Sequence, residues 1–202
     1  LREPGFKVTL QFKGDGPAQQ VLCTASSDGA VKGYIVNPNV DLPVRSDGSP
    51  DVGGALGIGT ITCIRDTGMK EPYVGRIDLV SGEIADDMTA YFFISEQQQT
   101  SVSLGVKLSE DGAVEAAGGL IIQMLPDAGE EAVQALENWL PKMPKITELV
   151  SQVMENAGAK SVGTLMKELI GEAFSGLPEE FEVSPMDLLD IGWQCDCSVE
   201  RL

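Results

Sequence analysis

Phe6-Lys7-Val8-Thr9-Leu10-Gln11-Phe12 sets Phe6, Val8, Leu10 and Phe12 against Lys7, Thr9 and Gln11. A period of two sends one face to a core and the other to water, so the fold opens on a strand. Gly14-Asp15-Gly16-Pro17 stops it. Residues 21–25 and 30–36 flank the turn cluster Ser26-Ser27-Asp28-Gly29 and read as a hairpin. Residues 37–54 form a polar loop rich in Gly and Pro, and 59–65 with 73–79 make a second hairpin around Asp66-Thr67-Gly68. Ser81-Gly82 then opens a helix in which Ile84, Met88, Tyr91 and Phe92 share one face, with Glu83, Asp86 and Asp87 where the helix dipole favours anions. The period returns to two at Val102, Leu104, Val106 and Leu108, which alternate with Ser101, Ser103, Gly105 and Lys107. Asp111-Gly112 turns the chain, Gly118-Gly119 is expected to break it, and 120–125 is an apolar strand ended by Pro126. Strands on both sides of a helix give the fold class α+β.

Past Pro126 the pattern is helical. Ala132, Val133, Leu136, Trp139 and Leu140 form one apolar stripe. Ile146, Leu149, Val150, Val153 and Met154 form a second, and Val162, Leu165, Met166, Leu169, Ile170 and Phe174 a third. Pro141, Pro144, Gly158 and Gly176-Leu177-Pro178 separate them. The expected organisation is an α+β core over 1–128, a helical linker over 129–192, and the start of a further small domain over 193–202. The clearest change lies near residue 127.

The chain of 202 residues carries a net charge of −17 with 43% hydrophobic and 22% charged residues. The acids are spread along it: 16 acids and 9 bases precede residue 127, and 15 and 5 follow. Such a balance disfavours nucleic acid and anionic membranes as partners, because phosphates would find little positive charge to neutralise them. It also keeps a protein soluble when apolar surface is uncovered. No apolar run approaches the roughly 20 residues of a membrane helix. Leu1-Arg2-Glu3-Pro4 resembles neither a signal peptide nor an initiation site, so the chain reads as part of a longer protein. Four cysteines at this length do not make a disulfide framework, and their pattern suits a reducing cytoplasm.

Cys195-Asp196-Cys197 is the most informative chemical feature. Two thiolates this close can share one zinc ion, yet a closed structural site needs four ligands. There is no histidine, so imidazole cannot complete it within this chain. The pair is half of a metal site, a redox pair, or both. Its bland alternative is a pair of small apolar residues. Cys23 and Cys63 sit in strand contexts and are expected to be buried core thiols. No Ser-His or Cys-His nucleophile is possible without histidine, and Gly57-Ile58-Gly59 lacks the third glycine of a dinucleotide loop. Glu83, Asp86 and Asp87 read as solvated residues of a first helical turn, not as acid–base carboxylates.

Several segments together resemble the redox-regulated heat-shock chaperone family of thirty-three kilodaltons. They are Gly29-Ala30-Val31-Lys32-Gly33-Tyr34, Tyr73-Val74-Gly75, Ser81-Gly82-Glu83-Ile84-Ala85-Asp86-Asp87, Tyr91-Phe92, Ser95-Glu96-Gln97, Ala117-Gly118-Gly119, Gln123-Met124-Leu125-Pro126 and Cys195-Asp196-Cys197-Ser198. Lys32 stands where an arginine is expected, and Val199 interrupts the tail after the second cysteine. The resemblance implies a non-enzymatic, ATP-independent holdase that binds unfolded or partially unfolded proteins. It implies that Cys195 and Cys197 supply two of four zinc ligands in the reduced state, the other two lying outside this chain. On oxidation the cysteines would form disulfides, zinc would leave, the linker would unfold, and the active form would tend to a homodimer.

The chemistry is compatible. Zinc holds thiols as thiolates, the form oxidants attack. A disulfide between cysteines one residue apart closes a strained ring, and strained disulfides are the easily reduced kind. Structural zinc contributes roughly 10–16 kcal/mol of folding free energy in small domains. That matches or exceeds the ~5–15 kcal/mol holding a typical domain together, so losing zinc can unfold one. Two other functions remain: a constitutive zinc-bearing interaction module without a switch, and an enzyme relying on carboxylates alone.

Overall fold

The computed structural model describes residues 4–41, 45–46, 49–109, 111–155, 158, 160–178, 181, 183 and 187–194, with Val162 described by its backbone. They form two compact units, one of residues 1–97 with 189–202 and one of residues 98–188. The fold is α+β, as expected.

The first unit is built on a sheet of six strands in the order β5-β4-β1-β2-β3-β8. The strand that opens the chain, β1 (Lys7–Gly14), lies near the middle, antiparallel to β2 (Gln20–Ser26) and β4 (Gly59–Asp66). Phe12 pairs with Val21 on one side and Ile61 on the other, and Phe12 and Ile61 are buried. Both expected hairpins form: β2 with β3 (Ala30–Ile35), and β4 with β5 (Tyr73–Asp78). The loop expected over 37–54 contains a short helix, α1 (Val52–Leu56), which buries Ala55 and Leu56. Its glycines hide the helical signal, and its Asp51 cap accepts from the Gly54 N–H. Helix α2 (Ile84–Glu96) buries Met88 and Tyr91 as its stripe requires. Asp87, read as solvated, is fully buried instead. Its Oδ1 accepts from the backbone N–H groups of Val80 (2.7 Å) and Ser81 (3.1 Å), tying the loop to the helix.

Of the two thiols expected in the core, Cys63 is buried and Cys23 is exposed. Both are cross-strand partners of Leu10, so they share its face at different points of the sheet. Only Cys63 lies beneath α2, where its thiol meets the Tyr91 hydroxyl.

The second unit begins with an antiparallel hairpin, β6 (Thr100–Leu108) and β7 (Val114–Gln123). Gly118-Gly119 does not interrupt it. Gly118 pairs with Gly105, and β7 runs unbroken through both glycines. Three helices follow, each on an expected stripe: α3 (Glu130–Trp139), α4 (Ile146–Glu155) and α5 (Val162–Ala173). Trp139 stacks on Phe174 with ring centroids 5.0 Å apart and donates its indole N–H to the Ser175 carbonyl. The change from strands to helices thus falls near 127, whereas compact packing groups the hairpin with the helices that follow it. After the helices the chain returns to the first unit's sheet. Strand β8 (Gly192–Trp193) pairs in parallel with β3, which the expected helical linker over 129–192 did not include.

Candidate functional site: an apolar seam and the segment before the cysteine pair

Alternation places Ser101, Ser103, Gly105 and Lys107 on one face of β6, and their partners Ile122, Leu120, Gly118 and Ala116 on the same face of β7. Helix α4 lies on this face. A β-carbon at Gly105 would stand 2.6 Å from the Thr147 nitrogen, and one at Gly118 would stand 2.5 Å from Val150 Cγ2. The facing glycines therefore make a flat place where the helix approaches the sheet backbone. Ile146, Leu149 and Ala173 form the buried centre, with Leu120, Met143, Val150, Leu169 and Phe174 packed around it.

The packing is incomplete. A cavity of about 550 Å³ remains between β7, α4 and α5, and its wall includes Leu149, Met154, Leu165, Met166 and Ile170. The expected second and third stripes thus meet in one apolar seam, with Leu149 1% exposed at its bottom. Methionines suit such a seam because their flexible thioethers fill irregular gaps. Among the described residues no side chain of Asp, Glu, Lys or Arg lines it.

The polar ties around the seam are weak. An ion pair joins Lys160 to Glu168 at 2.8 Å, and Lys107 reaches Glu115 and Glu155 at 3.3 and 3.6 Å, all with partly exposed side chains. Such pairs contribute ~0–1 kcal/mol each. Helix α5 is capped by Ser161, whose hydroxyl accepts from the Thr164 N–H, while α3 begins at Gly129 without a side-chain cap. The other face of the hairpin is also apolar. Leu104, Val106, Leu108 and Ile121 are each about half exposed, between 50% and 54%.

Cys195 and Cys197 lie outside the described residues, so the expected metal and redox pair has no geometry to report. Among the described residues no group of three or more His, Cys, Asp or Glu could hold a metal ion. The approach to the pair is defined. The Gly192 N–H donates to the Gly29 carbonyl (3.1 Å) and the Gln194 N–H to the Val31 carbonyl (2.9 Å). Residue 194, the last before the pair, is therefore anchored on β3. Sequence reading missed this tether, because a two-residue strand carries no periodicity. It also missed the Gly105–Gly118 platform, which is legible only once the hairpin register pairs the two glycines.

Among the described residues no helix is long and apolar enough to cross a membrane. The architecture is that of an α+β protein with an apolar seam between β7, α4 and α5. Comparison with known proteins gives it a family. The sequence profile of the Hsp33 protein family matches residues 1–202, and the chain belongs to that family. The 33 kDa chaperonin of Caldanaerobacter subterraneus subsp. tengcongensis is 40% identical over 196 residues, which are 96% of this chain and 62% of that protein. The 33 kDa chaperonin of Ruminiclostridium cellulolyticum is 40% identical over 202 residues, 100% of this chain and 64% of the relative. The crystal structure of the 33 kDa chaperonin (heat shock protein 33 homolog) from Thermotoga maritima superposes with a TM-score of 0.78 at 33% identity, covering 98% of this chain and 63% of that one. The chain thus spans a little under two thirds of the relatives it matches.

Proposed function

We propose that this chain forms the client-holding and covering parts of a redox-regulated, ATP-independent chaperone. The observation that carries the reading is the seam between the β6–β7 hairpin and α4–α5. Among the described residues its lining side chains are all apolar; it is incompletely filled and closed by short helices that isolated in water would be marginal. Opening it exposes contiguous apolar surface on both hairpin and helices, the kind that captures partly unfolded proteins. The names of the relatives, 33 kDa chaperonins, support a chaperone.

In this reading Cys195 and Cys197 contribute two thiolates to a zinc site completed by residues outside this chain, and Gln194 ties that site to β3. Oxidation of the thiolates expels the ion and removes the folding free energy it supplied. The segment between α5 and β8 is then released at one end, and the seam loosens. The activity is not enzymatic, the setting is the cytoplasm, the clients are unfolding proteins, and a homodimer forms in the oxidised state. The net charge of −17 favours solubility of the complexes.

The test compares the full-length gene product, zinc-loaded and reduced, with the same protein after peroxide. Light scattering of a thermally unfolding client and hydrogen exchange are followed together. Suppression of scattering should appear only after peroxide, in step with zinc release and loss of protection in α4 and α5, while β1 and β4 stay protected. A protein that binds clients equally before and after zinc release is the constitutive module, and the switch is then wrong.

A further inference from the structure

Helix α3 buries one residue, Trp139 at its last position, which is 3% exposed. A buried tryptophan needs a partner for its N–H as well as a surface for its ring. Both partners here belong to the end of α5. The indole stacks on Phe174, with centroids 5.0 Å apart and planes 6° from parallel, and Nε1 donates to the Ser175 carbonyl at 3.2 Å. A carbonyl just past a helix end has no helical donor, so the indole supplies one. On its other side Trp139 runs into a turn of 3-10 helix over Leu140–Lys142, where Pro141 stiffens the corner between α3 and α4.

Phe174 joins this clasp to the seam. Its ring lines the cavity and packs against the centre made by Ile146, Leu149 and Ala173. Trp139 belongs neither to the cavity wall nor to that centre, and so backs Phe174 from outside the seam. Helix α5 packs on α4, and α4 on the hairpin. The clasp therefore fastens α5 a second time, at the opposite end from its Ser161 cap.

We infer that Trp139 is the latch of the seam: it keeps α5 in place by holding Phe174 and the Ser175 carbonyl, and its release is the step by which the seam opens. Resting on the chaperone reading, the latch gives that function its regulatory contact. Ser175 lies where α5 gives way to the chain that leads to Cys195. Loosening that travels back along this chain from the cysteine pair reaches the Ser175 carbonyl before it reaches α5. Loss of that hydrogen bond leaves the stack alone to hold Phe174, and an aromatic pair is worth about as much as the bond just lost. Helix α4 can stay behind, because its place is set by the close approach to Gly105 and Gly118 and not by the clasp.

The test uses the full-length gene product, zinc-loaded and reduced, with amide exchange followed through α4, α5 and the hairpin. Trp139→Phe keeps a ring on Phe174 and drops the donor, whereas Trp139→Ala drops both. Exchange through α5 should quicken about fivefold in the first variant, as for one lost hydrogen bond, and about a hundredfold or more in the second. In Trp139→Phe, exchange through α4, β6 and β7 should not change. After peroxide has released zinc, that variant and the unsubstituted protein should exchange alike through α5, because the latch is open in both. Trp139→Phe, which alters packing least, carries the test if Trp139→Ala does not fold. Equal quickening in α4, α5 and the hairpin would make Trp139 an ordinary core residue. A fivefold difference that outlasts zinc release would mean that the clasp stays closed in the active state. Either result overturns the latch. Failure of the chaperone reading looks different: α5 opens selectively in the reduced variants, yet scattering of an unfolding client is not suppressed. The latch then stands, and it is the client-holding role of the seam that fails.

Discussion

Gly105 and Gly118 face each other across β6 and β7, and a β-carbon on either would press into α4. Gly118→Ala should push the helix off the hairpin and destabilise the second unit by about 1–3 kcal/mol, as overpacking does. Urea unfolding and exchange in α4 would register it. Gly129→Ala, where nothing lies within 4 Å, is the matched control and should leave both unchanged. A second pair of residues sets the alkaline limit of the first unit. Burial raises the Cys63 thiol above its ordinary 9.0. Burial first, then the hydrogen bond to Glu96, raises the Tyr91 hydroxyl above its ordinary 10.0. In both cases the unfolded chain loses its proton first. The stability these groups contribute is therefore complete below the unfolded values and is lost as pH climbs through the folded ones. Guanidinium midpoints should fall between about pH 8 and about pH 10.5, and less steeply in Cys63→Ala. A midpoint flat across that range would show that burial does not shift these groups.

At the scale of elements, the helices over the seam are short and tied by partly exposed ion pairs. Ser161 caps α5 through the Thr164 N–H, and Ser161→Ala should cost about 1 kcal/mol, read as faster exchange through α5 with no change in β1 or β4. Equal loss in both places would mean that the units do not open separately. The elements were also the scale at which the sequence spoke most clearly. Alternation at Phe6–Phe12 and 3.6-residue periodicity at Ile84–Phe92 each leave many residues in register with one face, so β1 and α2 were legible. Helix α1 was not, because two glycines in five residues weaken helical propensity and tertiary packing of Ala55 and Leu56 decides the matter. Gly118-Gly119 misled for the opposite reason: their lack of side chains serves α4, an element brought near only by the fold. Asp87 was misread because its position in a first helical turn says nothing of the backbone donors at Val80 and Ser81 that bury it. Of the candidate site, the stripes through Leu149 and Leu165 could be read, but the tether at Gly192 and Gln194 could not, since two residues of strand leave no pattern.

For the whole molecule, the central claim is that apolar surface exists ready-made and is covered by helices whose docking is marginal. In the proposed function, oxidation would then have only to release a cover. The claim is tested most directly by opening the seam without any oxidant. Leu149 is 1% exposed and Leu165 lines the same cavity from α5, so Leu149→Glu with Leu165→Glu places two charges where, among the described residues, no ionisable side chain lines the wall. An unpaired charge cannot stay there, and the helices must leave. The measurement is light scattering of a thermally unfolding client at equal chaperone concentration, with and without peroxide. The double variant, folded in its first unit and soluble, should suppress scattering without peroxide as well as the unsubstituted protein does after it. If the variant stays inactive while its first unit is folded and the protein is soluble, opening the seam does not uncover a client-binding surface, and the unmasking account is contradicted.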